Sequence, residues 1–148
     1  MYPILAIDYG EKHLGLAISD SKGIIASPLE VLSITKNRDI HTLLEEISKI
    51  IGEYKIQTIL VGKPQIFTPK QEKTEEKVNK FISLLKKTTE TSIITYDESF
   101  STTNAQNMLT SLGQNSKRSK SKIDKIAATV FLQEFLNSKK QNQDGNEE

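Results

Sequence analysis

A chain of 148 residues with 36% apolar content and a net charge of +1 fits a single domain with a real core, and its global charge does not advertise a polyanion partner. The absence of cysteine excludes a disulfide framework, a thiolate metal site and a cysteine nucleophile. With no signal peptide and no apolar run near the length of a membrane span, the expectation is a soluble cytoplasmic protein with no membrane partner.

Ile4-Leu-Ala-Ile7 is a continuous apolar run, the pattern of a strand covered on both faces, and it ends at a lone carboxylate, Asp8. His13 to Ser19 then alternates, with Leu14, Leu16 and Ile18 on one face and Gly15, Ala17 and Ser19 on the other. Gly10 and Gly15 free the backbone around Asp8 of side chains, so a phosphate or metal can approach; a turn residue is the plain alternative for Asp8. Asp20-Ser-Lys-Gly23 closes a hairpin, and a third strand follows within Gly23 to Ile34, bent or interrupted at Pro28. Asn37 is the expected N-cap of a helix whose inward stripe is Ile40, Leu43, Leu44, Ile47, Ile50, Ile51 and Tyr54. His41 beside that stripe reads as solvent-facing.

Lys55 to Val61 predicts a fourth strand leading into Gly62-Lys63-Pro64, and the intervening helix implies a parallel crossover. Thr68-Pro69-Lys70-Gln71 starts a helix to about Lys87, with Val78, Phe81, Ile82, Leu84 and Leu85 inward. Ser92 to Tyr96 is the fifth strand, and it exits at Asp97-Glu98-Ser-Phe-Ser101-Thr102-Thr103. Such acids and hydroxyls suit either a cation or phosphate site or a helix start capped by Ser101. A helix is expected from Ser101 to Leu112, then a basic loop over residues 114–122 containing Lys117, Arg118 and Lys122. Ser121-Lys-Ile-Asp124 opens the last helix, with Ile123, Ile126, Ala127, Val130 and Phe131 inward; Asp124 fits a capping box as well as a catalytic role. The domain is expected over residues 1–137, followed by a disordered polar tail over 138–148.

The resulting fold class is α/β: a mixed five-stranded sheet, with an antiparallel meander of three strands and two more strands parallel to the first. Ligands of open α/β sheets sit beyond the carboxyl ends of the parallel strands. Asp8 and Glu98 lie at such ends, and Asp124 begins a helix able to pack along the same edge. Three converging carboxylates repel unless a cation sits among them. Oxygen donors alone suit Mg²⁺ or Mn²⁺.

Four segments, Asp8-Tyr-Gly10-Glu-Lys12-His-Leu-Gly15-Leu-Ala, Val61-Gly62-Lys-Pro64, Asp97-Glu98-Ser-Phe-Ser101-Thr102 and Asp124-Lys-Ile-Ala127-Ala128, occur in the order found in YqgF/RuvX-like proteins, which this chain resembles from residue 4 to about 136. The first segment alone also resembles actin-like ATPases and sugar kinases. The resemblance implies a ribonuclease H-like fold with Asp8, Glu98 and Asp124 as metal-binding catalytic carboxylates. It further implies a nuclease acting on structured nucleic acid: precursor 16S rRNA in ribosome biogenesis, or Holliday junctions. Where the family commonly has arginine, this chain has His13 and Ser99. Phosphate contacts then fall to Lys12, Lys63, Ser101, Lys117, Arg118 and Lys122, a lysine being a point charge rather than a fork.

The leading expectation is a Mg²⁺- or Mn²⁺-dependent endonuclease, monomeric or homodimeric, with ribosomal particles as further partners. The rivals are a non-catalytic nucleic-acid or ribosome-assembly binder and an ATPase or small-molecule kinase. The last needs a second lobe, for which 148 residues leave no room.

Overall fold

Apolar runs and helical stripes resolve into two layers of helix around one sheet. The computed structural model of the protein describes residues 1–10, 12–63, 69–97 and 126–140. Strands β1 (Ile4–Tyr9), β2 (His13–Ser19) and β3 (Ala26–Ser33) form the expected antiparallel meander. Helix α1 (Ile40–Tyr54) crosses to β4 (Thr58–Lys63), and α2 (Pro69–Thr88) crosses to β5 (Ser92–Asp97). A further helix occupies residues 126–140. The sheet order is β3-β2-β1-β4-β5, with β4 parallel to β1 and β5 parallel to β4.

The two-residue period of β1 divides its side chains between two cores. Leu5 and Ile7 join Leu14, Leu16, Ile59 and Val61 beneath α1 and α2, where Leu43, Ile47, Val78, Phe81 and Leu85 fill the layer. Ile4 and Ala6 join Ala17 and Leu60 beneath the C-terminal helix, which contributes Ala128, Phe131, Leu132, Phe135 and Leu136. Alanines on adjacent strands let that helix approach the sheet closely. Its buried stripe also includes Ala127 and so runs 127/128, 131/132, 135/136, continuing beyond the expected residues while Ile126 and Val130 are only half-buried. The helix continues through residue 140, three residues into the stretch assigned by composition to the tail. There Gln133 Nε2 donates to Asn137 Oδ1 at 3.1 Å, and the Lys139 ammonium sits 5.5 Å from the Phe135 ring centroid.

Several boundaries differ from expectation for local reasons. The N-cap of α1 is Asp39 rather than Asn37: its carboxylate accepts from the Thr42 N–H (3.0 Å) and hydroxyl (3.1 Å). Residues 35–38 instead form a small turn in which Thr35 and Arg38 exchange backbone bonds and Arg38 pairs with Glu46. Lys55 is the C-cap of α1, in the left-handed region at φ 55°, so β4 starts later at Thr58. Ile24 and Ile25 fall outside β3 and are exposed, because the hairpin turn takes them: the Asp20 carboxylate accepts from both of their N–H groups. The register of β2 and β3 shifts between Leu16 and Ala17, opposite Glu30 and Pro28, which accommodates the proline on an edge strand. Gly62 and Lys63 belong to β4 itself rather than to the loop after it. The predicted helix over Ser101 to Leu112 and the basic loop lie outside the described residues.

Ser19 ties β1 to β2 at the end remote from Asp8. Its buried hydroxyl accepts from Ile4 N–H at 2.8 Å and donates to Asp20 O at 3.0 Å. Ser19→Ala leaves the buried Ile4 N–H unpaired, so a loss of about 1–3 kcal/mol is expected. Urea unfolding should show a lower midpoint with unchanged slope; an unchanged midpoint would contradict this assignment.

The Thr42 N–H and hydroxyl hold the Asp39 carboxyl below its ordinary value of 3.8. The folded group is the stronger acid, so its contribution is present above about pH 4 and is lost as pH falls through the lower folded value. The stability gap between the wild type and Asp39→Ala should therefore narrow in denaturant melts taken from pH 5 down to pH 2. A gap that stays constant over that range would refute the charged cap.

Candidate active site

Asp8 leaves the sheet on the face of Ile4 and Ala6, the side covered by the C-terminal helix, and is half-buried. Its register partners on both neighbouring strands are glycines: Gly15 on β2 and Gly62 on β4. The row across the sheet at this level is thus Gly15, Asp8, Gly62, Tyr96. Strands are about 4.8 Å apart, so roughly 10 Å of sheet on the β4–β5 side carries no side chain until Tyr96. A larger residue at position 15 or 62 would add a side chain to the same face in the row of Asp8. The sequence pointed to Gly10 and Gly15 as the source of this room; the register adds Gly62 and gives Gly10 a different task. Gly10 N–H donates to His13 O at 2.9 Å, and a β-carbon at Gly10 would lie 2.8 Å from that carbonyl oxygen. Glycine is therefore required by the turn itself.

The next residue fixes the strand end. Tyr9 points to the opposite face and packs its ring 5.1 Å from that of Phe81 on α2, so the last turn of β1 is held from below while Asp8 projects above. Lys12 is exposed in the β1–β2 turn, and its carbonyl accepts from Ile34 N–H at 2.8 Å. His13 shares the face of Asp8, and its Nδ1 lies 2.9 Å from Ser33 Oγ on β3. Lys63 is adjacent to Gly62 and so starts on the α2 face, opposite Asp8, at the same strand edge.

The C-terminal helix is oriented by contacts to both sides of the sheet. Gln133 accepts from Ala26 N–H and donates to Ile24 O on the hairpin side, whereas Glu134 accepts from the Tyr96 hydroxyl on the β5 side. Its axis therefore runs along the strands. Leu136 and Lys140 line a cavity of about 280 Å³ with Tyr2, Lys22, Gly23 and Ile24, at the end of the sheet remote from Asp8. The start of the helix thus points toward the Asp8 end. Tyr96 stacks on Phe131 (5.9 Å) and meets Phe135 edge-on (6.2 Å), locking the helix over β5.

Of the expected site residues, the structure describes Asp8, Lys12 and Lys63 and brings them to one edge. Glu98, Ser101, Lys117, Arg118, Lys122 and Asp124 lie outside the described residues, as does Ser99. In sequence, Glu98 directly follows the last residue of β5, and Asp124 is two residues before the described helix. Among the described residues no three His, Cys, Asp or Glu side chains form a group able to hold a metal. No described helix is long and apolar enough to cross a membrane. Two features escaped the sequence reading: Gly62 as partner of Asp8, and the bond between His13 and Ser33. Only strand register creates either one.

Comparison with known proteins agrees with this architecture. The family model described as "RuvX: Holliday junction resolvase" matches residues 2–138. A protein of Fusobacterium nucleatum named "Putative pre-16S rRNA nuclease" is 38% identical over 138 residues, covering 92% of this chain and 97% of that protein. A Geobacillus protein of the same name is 37% identical over 136 residues, covering 92% and 98%. Among solved structures, Thermus thermophilus RuvC in complex with a Holliday junction substrate superimposes with a TM-score of 0.58 at 16% identity, over 92% of this chain and 94% of that one. The Fowlpox virus resolvase, also in complex with junction DNA, gives 0.52 at 14% identity, over 92% and 97%. At such identities these two likenesses establish the fold, that of RuvC-like resolvases with a ribonuclease H-like sheet. A family match over nearly the whole length, with curated relatives above 30% identity, settles the membership: this chain belongs to the RuvX family.

Proposed function

We propose that this protein is a divalent-metal-dependent endonuclease that hydrolyses phosphodiester bonds in structured nucleic acid, acting in the cytoplasm on the precursor of 16S rRNA during ribosome biogenesis. One observation carries the reading: a carboxylate on the central strand, flanked in register by Gly15 and Gly62, at the sheet edge where β5 ends and toward which the C-terminal helix starts. From Leu136 back to residue 126 is about 15 Å of helix, against about 13 Å of strand from Ile4 to Asp8. That match supports Asp124 as a neighbour of Asp8, and the position of Glu98 directly after β5 supports it as the third acid.

Mg²⁺ or Mn²⁺ fits the donor set, which is all oxygen, and Gly15 and Gly62 put no side chain of their own beside Asp8. When bound, such an ion supplies activation of a water and stabilisation of the leaving oxygen. Asp8, Glu98 and Asp124 would hold it and orient the attacking water in line with the scissile bond. Lys12 and Lys63 at the strand edge, with Lys117, Arg118, Lys122 and Ser101, would bind backbone phosphates and offset the charge that develops on them. Arg38 is engaged with Glu46, so lysines carry most of that task. The names of the curated relatives favour the rRNA precursor; the junction complexes of the fold's neighbours make a DNA four-way junction the second substrate to try.

Asp8→Asn keeps the shape and removes the charge. With Mn²⁺ present, its cleavage of precursor rRNA should fall by at least the roughly 10²–10³-fold typical of losing one preorganised transition-state contact. Mn²⁺ should raise the thermal midpoint of the wild type and leave that of the variant unchanged. Equal cleavage by both proteins would refute the catalytic role, and an equal Mn²⁺ shift would refute the metal site.

A further inference from the structure

The register that sets Asp8 between two glycines also brings His13 near it on the same sheet face. Asp8 pairs with Gly15, and His13 is two residues before Gly15, so Asp8 and His13 are diagonal cross-strand neighbours. Such diagonal positions are about 7–8 Å apart. The residues directly across from them are glycines: Gly15 opposite Asp8, and Gly10, whose N–H donates to His13 O. His13 is half-buried, and its ring is tethered at Nδ1 by Ser33 Oγ, its register partner on β3. Among the described residues its Nε2 makes no hydrogen bond. A ring held at one nitrogen with its second nitrogen uncommitted is suited to contact a ligand rather than to complete the core.

We infer that His13 and Ser33 form a subsite for the substrate-backbone phosphate next to the one cut at Asp8. This rests on the nuclease reading for the identity of the ligand. The chemistry follows from the tether. In imidazolium both ring nitrogens donate: Nδ1–H to Ser33 Oγ, and Nε2–H to a phosphate oxygen. Ser33, now accepting, turns its own hydroxyl proton outward as a second donor to the same phosphate. In neutral imidazole Ser33 can spend that proton on Nδ1, and the positive charge is gone. The subsite is therefore strong when the ring is imidazolium and weak when it is neutral. Among the described residues, the charged groups on the surrounding elements are Asp8 on β1, Lys12 in the turn before His13, and Glu30 on β3 opposite Leu16. Arg38, beyond β3, is occupied by Glu46.

The test measures binding rather than cleavage, so it is independent of whether the three acids are catalytic. Fluorescence anisotropy of a fluorescein-labelled RNA hairpin with single-stranded flanks is titrated with full-length protein, without divalent metal, at pH 5.5 and pH 8. Wild type should bind about tenfold more tightly at pH 5.5 than His13→Ala does, the loss expected for one charge-assisted contact. The wild-type advantage should shrink at pH 8. His13→Arg should bind tightly at both values, and Ser33→Ala should fall between wild type and His13→Ala. A His13→Ala protein with an unchanged thermal midpoint and wild-type affinity at pH 5.5 would overturn the subsite. If the alanine variant melts early, the arginine variant decides: pH-dependent binding as in wild type counts against the subsite, and pH-independent tight binding supports it. Wild-type protein that binds no RNA at either pH would instead sink the nucleic-acid reading itself.

Discussion

The register of β1 between its two neighbours is the constraint on which the rest of this structure depends. Every residue from Ile4 to Ile7 is fully buried, because both faces of the strand are covered by helices. Side chains alternate strictly on a strand, so a slip of one residue would move Asp8 into the layer beneath α1 and α2 and expose Ile7 in its place. The pairing is therefore enforced by about six apolar side chains on and beside β1, each contributing roughly 1.5–3 kcal/mol when buried. A single carboxylate is placed by packing in which it takes no part. Tyr9 against Phe81 and Ser19 against Ile4 pin the two ends of the same strand pair.

The two faces of the sheet divide the work. The layer under α1 and α2 is built from large aliphatic and aromatic residues and carries most of the core. The opposite face is made of Ala6, Ala17 and Leu60, then Gly15 and Gly62 in the row of Asp8. On β2 and β4 the side chains of this face become smaller toward the carboxyl edge, whereas β5 carries Tyr96 there. The aromatic residues of the C-terminal helix meet Tyr96 and the lower sheet, while its start reaches toward that edge. The low side-chain bulk beside Asp8 thus comes from residue size on β2 and β4.

Much of this was legible in the sequence, and the reasons are specific. The apolar run at Ile4–Ile7, the alternation of Leu14 and Leu16, and the helical stripe from Ile40 to Ile50 each carry one dominant period, so strand, strand and helix were read correctly. Element order then left few topologies, and the mixed sheet followed. What failed was local competition. Asn37 and Asp39 are both good caps, and only the turn closed by Thr35 and Arg38 selects the second. Ile24 and Ile25 look like strand residues, but the Asp20 carboxylate captures their N–H groups. At the site, Asp8 could be singled out because a carboxylate interrupts an apolar run. Gly62 and the bond between His13 and Ser33 could not, since they arise from pairings across 54 and 20 residues that no local pattern encodes.

The divalent-cation site proposed above has Asp8 as one wall, with Glu98 and Asp124 as the others. Crystals grown with Mn²⁺ and measured at a wavelength where manganese scatters anomalously test it most directly. The account predicts a strong anomalous peak about 2 Å from an Asp8 carboxylate oxygen, with oxygens of Glu98 and Asp124 completing the shell. A Mn²⁺-soaked crystal with no peak at Asp8, or with Glu98 and Asp124 facing a different surface, would contradict it.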